Sequence, residues 1–80
     1  IEDGGHYEGN TSFELKEMLN KALDLLPEIQ KSCILLRDYE GYSYDEIGEI
    51  LKLSEPQVKV YIFRARTKMK QILTEKFNLI

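Results

Sequence analysis

A single cysteine, Cys33, excludes an intrachain disulfide. With no other cluster of metal-ligand residues around it, it fits a reducing compartment. Long hydrophobic runs are missing: the longest extend only a few residues, far short of a bilayer span, and no cleavable signal pattern opens the chain. The expectation is therefore a soluble cytoplasmic domain. Helix breakers are scarce, with two Pro and five Gly, and three of those Gly (Gly4, Gly5, Gly9) fall in the first nine residues. The only histidine, His6, lies in that same stretch, where it has no partner for general acid-base work. The acidic pair Asp45-Glu46 stands in the first turn of an expected helix, where carboxylates favour the dipole without any catalytic role. GGHYEG lacks both the Lys-Ser/Thr ending and the preceding strand of a phosphate loop. Neither an enzyme nor a bound cofactor or metal is expected.

What remains is an 80-residue chain, 42% apolar and 31% charged, with enough Leu, Ile and Val to collapse around one modest core. The net charge of −3 conceals an asymmetry. Residues 1–51 carry twelve acidic against four basic side chains, whereas residues 52–71 carry six basic against Glu55 alone. A local basic stretch says more about a partner than the total does.

Residues 1–10 are rich in Gly and acid and have no apolar period. They read as a disordered lead or linker, with the domain occupying 11–80. Four helices are expected after it. Thr11 with Glu14 forms a capping box opening a helix over about 12–25, whose apolar stripe takes in Phe13, Leu15, Leu19, Ala22, Leu23, Leu25 and Leu26. Pro27 ends it or starts the next, over about 27–39, with Ile29, Cys33, Leu36 and Tyr39 inward and Gly41 as a left-handed cap. Ser43 with Glu46 opens a short helix ending near Leu51, its apolar face made of Tyr44, Ile47, Ile50 and Leu51. Ser54 with Gln57 opens a long one from Glu55 to about Leu73, burying Val58, Ile62, Ala65, Met69 and Ile72.

A short helix, a tight turn and a longer basic helix, over about 43–70, make a helix-turn-helix. The all-α fold is thus a four-helix domain with this motif near its C-terminus. Pro56, Gln57, Val60, Tyr61 and Arg64 fall on the side expected to read bases. Gln is suited to adenine N6/N7 and Arg to guanine O6/N7. Ser43, Lys52, Ser54, Lys59 and Lys68 are expected at DNA phosphates, helped by the backbone N–H groups of the two helix starts.

Leu26-Pro27, Ile34 to Arg37, Glu40 to Leu51 and the run SEPQVKVYIFRAR from Ser54 to Arg66 together resemble region 4 of bacterial sigma factors, most closely the extracytoplasmic-function type. The most specific portion is Arg64-Ala65-Arg66-x-Lys68. A LuxR-type regulator shares the style of helix but neither the Leu-Pro opening nor the Arg-Ala-Arg ending. The resemblance implies binding to the −35 element of double-stranded promoter DNA while seated on the beta flap of core RNA polymerase, and an anti-sigma factor that masks this surface. The chain departs from the family's usual residues at several places. Val60 stands for Ser and Tyr61 for Arg, which removes a hydroxyl and a charge. Lys52 stands for Gly and adds a charge at the turn. Gly48 stands for Ala, at a cost of about 1 kcal/mol in an exposed helix interior. The rival reading is a protein-interaction module, contacting polymerase or an anti-sigma factor through its acidic half and binding DNA weakly.

Overall fold

A computed structural model describes the backbone of residues 2–78 and the side chains of residues 13–78. Four α-helices follow one another: α1 (Glu2–Asp24), α2 (Glu28–Ile34), α3 (Tyr44–Leu51) and α4 (Glu55–Phe77). A π-helical turn, Leu35–Tyr39, continues α2. The described residues contain no strand.

Helix α4 organises the rest because its inward face serves two clusters in succession. Near its start, Val58 and Ile62 pack with Cys33 of α2 and Ile47 of α3. Further along, Ala65, Met69 and Ile72 pack with Ala22, Leu23 and Leu26 from the α1 end of the chain and Ile34 of α2. All five α4 positions expected inside are buried. The helix outruns its expected end and stops at Asn78, which takes the left-handed conformation of a C-cap. Phe77 packs on the second cluster, so the additional turn has apolar surface to cover.

Three regions depart from expectation. Helix α1 begins at Glu2, not beside Thr11. Once a helix is nucleated, adding residues costs less than starting one, so propagation needs no apolar period. The side chains of residues 1–12, and with them the Thr11 half of the expected capping box, lie outside the described residues. Within α1 the buried stripe is narrower than expected. Ala22, Leu23 and Leu26 are buried and Leu19 is partly so, whereas Phe13, Leu15 and Leu25 are exposed, lying outside the stripe that faces α4.

The second correction is at the end of α2. The Glu40 N–H donates to Leu35 O at 3.0 Å, an i→i+5 bond that widens the turn by one residue. Tyr39 is consequently half exposed and does not join the core. Gly41, at φ +82°, then reverses the chain as expected, and the Tyr42 N–H closes back onto Leu36 O at 2.9 Å. The third concerns α3, where Ile50 faces outward; Ile47 is fully buried, and Tyr44 and Leu51 pack against the same cluster while only partly buried.

The π turn also presents Asp38 to α4. Arg66 grips its carboxylate through Nε, at 2.9 Å, and through Nη2. That hydrogen-bonded guanidinium, aided by the charge of Arg37, holds the Asp38 carboxyl below its ordinary range. A lowered folded pKa contributes stability that is fully present above the unfolded value of about 3.9 and is lost as pH falls through the folded value. The Asp38→Asn variant should lack this part of the acid loss. Urea midpoints compared from about pH 6 down to 2 test it; parallel curves for parent and variant would mean that solvent screens the pair out.

Candidate nucleic-acid interface

The motif is built from its caps. Ser43 Oγ accepts the Glu46 N–H at 3.1 Å while Glu46 Oε1 accepts the Ser43 N–H at 2.8 Å, which fixes the start of α3. Ser54 repeats the arrangement with Gln57, at 3.3 and 2.9 Å, and fixes the start of α4. Pro56 sits in the first turn of α4, where a missing N–H removes no helical bond. Between the two helices Lys52 adopts φ 61°, ψ 49°, and the Leu53 N–H bonds to Gly48 O at 2.8 Å.

These caps aim the outer face of α4 at solvent. Pro56, Gln57, Val60, Tyr61 and Arg64, the five residues expected to read bases, line one shallow hollow of about 210 Å³. Arg64 makes no ion pair among the described residues. Arg66, two residues on and so about 200° around the helix, points the other way and is held by Asp38. The two arginines of the Arg-Ala-Arg run therefore do different work: one is free at the surface and the other ties α4 to the end of α2.

Gln57 is less free than its type suggests. Its carbonyl oxygen accepts the Ser54 N–H, leaving one lone pair and both amide hydrogens for a ligand. The hydroxyls of Ser43 and Ser54 likewise each accept one backbone N–H and retain a hydrogen to donate and one lone pair. Lys52 projects from the turn, exposed. Lys68 borders a second hollow of about 360 Å³ with Arg64, Thr67, Gln71, Phe63, Pro27 and Gln30. Lys59 is partly engaged, 3.3 Å from Glu55 and 5.6 Å above the Tyr44 ring.

One feature escapes a reading by residue spacing. Arg37 donates to Tyr42 O at 2.8 Å and lies 4.6 Å over the Tyr44 ring, the same ring that Lys59 approaches. Arg37, Tyr44 and Lys59 thus gather two cations around one aromatic ring beside the α3 start. They come from three separate elements, so only packing brings them together. Phe63, which falls outside the inward period of α4, is 71% exposed next to Arg64 and is the largest uncovered apolar side chain of that helix.

On the other flank of α4, Ile34, Tyr39, Met69 and Leu73, with Asp38, Arg66, Lys70 and Thr74, border a largely apolar hollow of about 530 Å³. No group of three His, Cys, Asp or Glu side chains suited to a metal ion occurs among the described residues, and no described helix is long and apolar enough to cross a membrane.

Comparison with known proteins points one way. The family model described as Sigma-70, region 4 matches residues 16–69. The chain is 42% identical over 55 residues to the ECF RNA polymerase sigma-E factor of Haemophilus influenzae, and 38% identical over the same length to those of Salmonella typhimurium and Escherichia coli K12. In each case the match takes in 69% of this chain and 29% of the relative.

Proposed function

The chain belongs to the sigma-70 region 4 family, and from that premise we propose that it reads the −35 element of promoter DNA for an RNA polymerase sigma factor. Family membership carries a DNA-binding role in transcription and no enzymatic activity. The observation that favours a base-reading helix is the single hollow shared by Pro56, Gln57, Val60, Tyr61 and Arg64 on the open side of α4. In this reading α4 enters the major groove. Arg64 then pairs with a guanine, the free amide of Gln57 donates to a base edge, and Val60 with Phe63 lies against thymine methyls. Tyr61 sits at the rim. Lys52, Lys59, Lys68 and the hydroxyls of Ser43 and Ser54 take phosphates, and Arg37 joins them beside the α3 start.

The reading assigns residues 11–80 to this domain and residues 1–10 to the lead before it. The apolar hollow on the opposite flank is the surface offered to core polymerase, with the beta flap as its partner, because a protein seated there leaves the base-reading side open. An anti-sigma factor would act by covering either surface.

Selection from a random duplex library at two salt concentrations tests the proposal. Enrichment of one short motif, with affinity falling as salt rises, supports it. Retention on polymerase without any enriched motif would leave a protein-interaction module. Within the same assay, Lys59→Ala should weaken all duplexes alike and lower the slope of log affinity against log salt by about one. An unchanged slope would mean that Lys59 stays with Glu55 and Tyr44 in the complex.

A further inference from the structure

Tyr44 stands where three elements meet, and the base-reading proposal gives it no role. It is the first residue of α3, directly after the Ser43 cap, and it is only partly buried. Its ring packs on the cluster of Cys33, Ile47, Val58 and Ile62, which fixes its orientation. The same ring meets two cations from other elements. The Arg37 guanidinium of the π turn lies 4.6 Å from the ring centroid and the Lys59 ammonium of α4 lies 5.6 Å from it. Both are within the roughly 6 Å reach of a cation–π attraction. Such an attraction uses the face of the ring and consumes no N–H donor. Arg37 spends one donor on Tyr42 O and makes no ion pair among the described residues, so the rest of its fork stays open. Lys59 is also claimed by Glu55, at 3.3 Å, but that carboxylate competes with any incoming anion, whereas the ring does not.

We propose that Tyr44 is a positioning residue, whose core-anchored ring holds Arg37 and Lys59 ready as a two-cation clamp for the phosphate backbone of a duplex. The claim rests on the reading that these two cations meet phosphates. Long basic side chains give up rotamer freedom when they take a phosphate, and a cation already held near its bound position gives up less. Tyr44 thus contributes to affinity through Arg37 and Lys59, not through a base contact. Phosphates carry no sequence, so the contribution is the same for every duplex.

The test uses the 80-residue chain and a duplex unrelated to any selected motif, with affinity read by fluorescence anisotropy at one low salt concentration. Tyr44→Leu keeps apolar bulk but loses the ring face, and should weaken binding by about 3- to 10-fold. Tyr44→Phe keeps the face and should stay within about 2-fold of the parent. In a protein that already carries Arg37→Ala and Lys59→Ala, adding Tyr44→Leu should cost less than about 1.5-fold. No loss from Tyr44→Leu, a loss that persists without the two cations, or one that Tyr44→Phe shares overturns the inference and leaves the phosphate reading standing. If removing both cations changes nothing, or the parent binds no duplex, the phosphate reading fails and the inference with it. Should Tyr44→Leu not fold, as urea unfolding would show, NMR of the parent decides. The methylene protons of Arg37 and Lys59 nearest their charged groups should be shifted upfield by the ring current and remain so when duplex is bound. Ordinary shifts in the free protein, or shifts that become ordinary on binding, overturn the clamp.

Discussion

Replacing Arg64 by Ala should lower affinity for the selected duplex by about 10- to 100-fold and flatten the preference at one base pair, while binding to unrelated duplex changes far less. Three observations set that expectation. Arg64 lies on the open side of α4, in the hollow shared with Gln57 and Val60. It makes no ion pair among the described residues, so no intramolecular bond must break before its fork meets a guanine. Its removal also leaves both buried clusters untouched. Arg66→Ala provides the contrast: it breaks the grip on Asp38 and should register in unfolding, not in base preference. Fluorescence anisotropy on the selected and a scrambled duplex separates the two. An Arg64→Ala protein that keeps the parent's preference would remove α4's outer face from the base-reading role.

Ile47→Ala should cost about 2–5 kcal/mol, among the most damaging single changes open to this domain. Ile47 is fully buried against Cys33, Val58 and Ile62. It is the one large buried side chain of α3, a helix of eight residues that cannot stand alone. A loss of that size is a large share of the 5–15 kcal/mol typical of a whole domain. The matched change Ile50→Ala, at an exposed position of the same helix, should fall within about 0.5 kcal/mol of the parent. Urea unfolding of both decides the point. Should the two variants lose stability equally, α3 is held by something other than the Ile47 contact, with the Tyr44 stack the next candidate.

The helix-turn-helix was legible because its signals are local. Ser43 and Ser54 each meet a Glu or Gln three residues on, and those side chains close in space as the spacing requires. The buried face of α4 was equally plain, since five residues at helical period leave few alternatives. Ile50 deceived because its period fits either flank of a short helix, and only the position of α2 decides which flank is covered. The π turn had no local mark. It follows from packing Leu36 inward while Asp38 reaches Arg66, twenty-eight residues away. Gly48 carried the opposite lesson. Read alone it is a weak helix former in an exposed interior, whereas in the fold it is buried and meets the backbone five residues on. The cation cluster at Tyr44 depends in the same way on neighbours distant in sequence.

Residues 52–71 carry six basic side chains, but pairing within the fold spends two of them: Arg66 on Asp38 and Lys59 on Glu55. Lys52, Arg64, Lys68 and Lys70 are left without an ion pair among the described residues, on a molecule whose overall charge is negative. A duplex of the wrong sequence should therefore hold this domain only loosely, and one-dimensional sliding along DNA should be brief. A search conducted by such a domain depends on being carried to its target. Attachment to a larger assembly already on the DNA would raise its local concentration near the element, so that a few well-aimed side chains suffice where a strongly cationic protein would linger at every site.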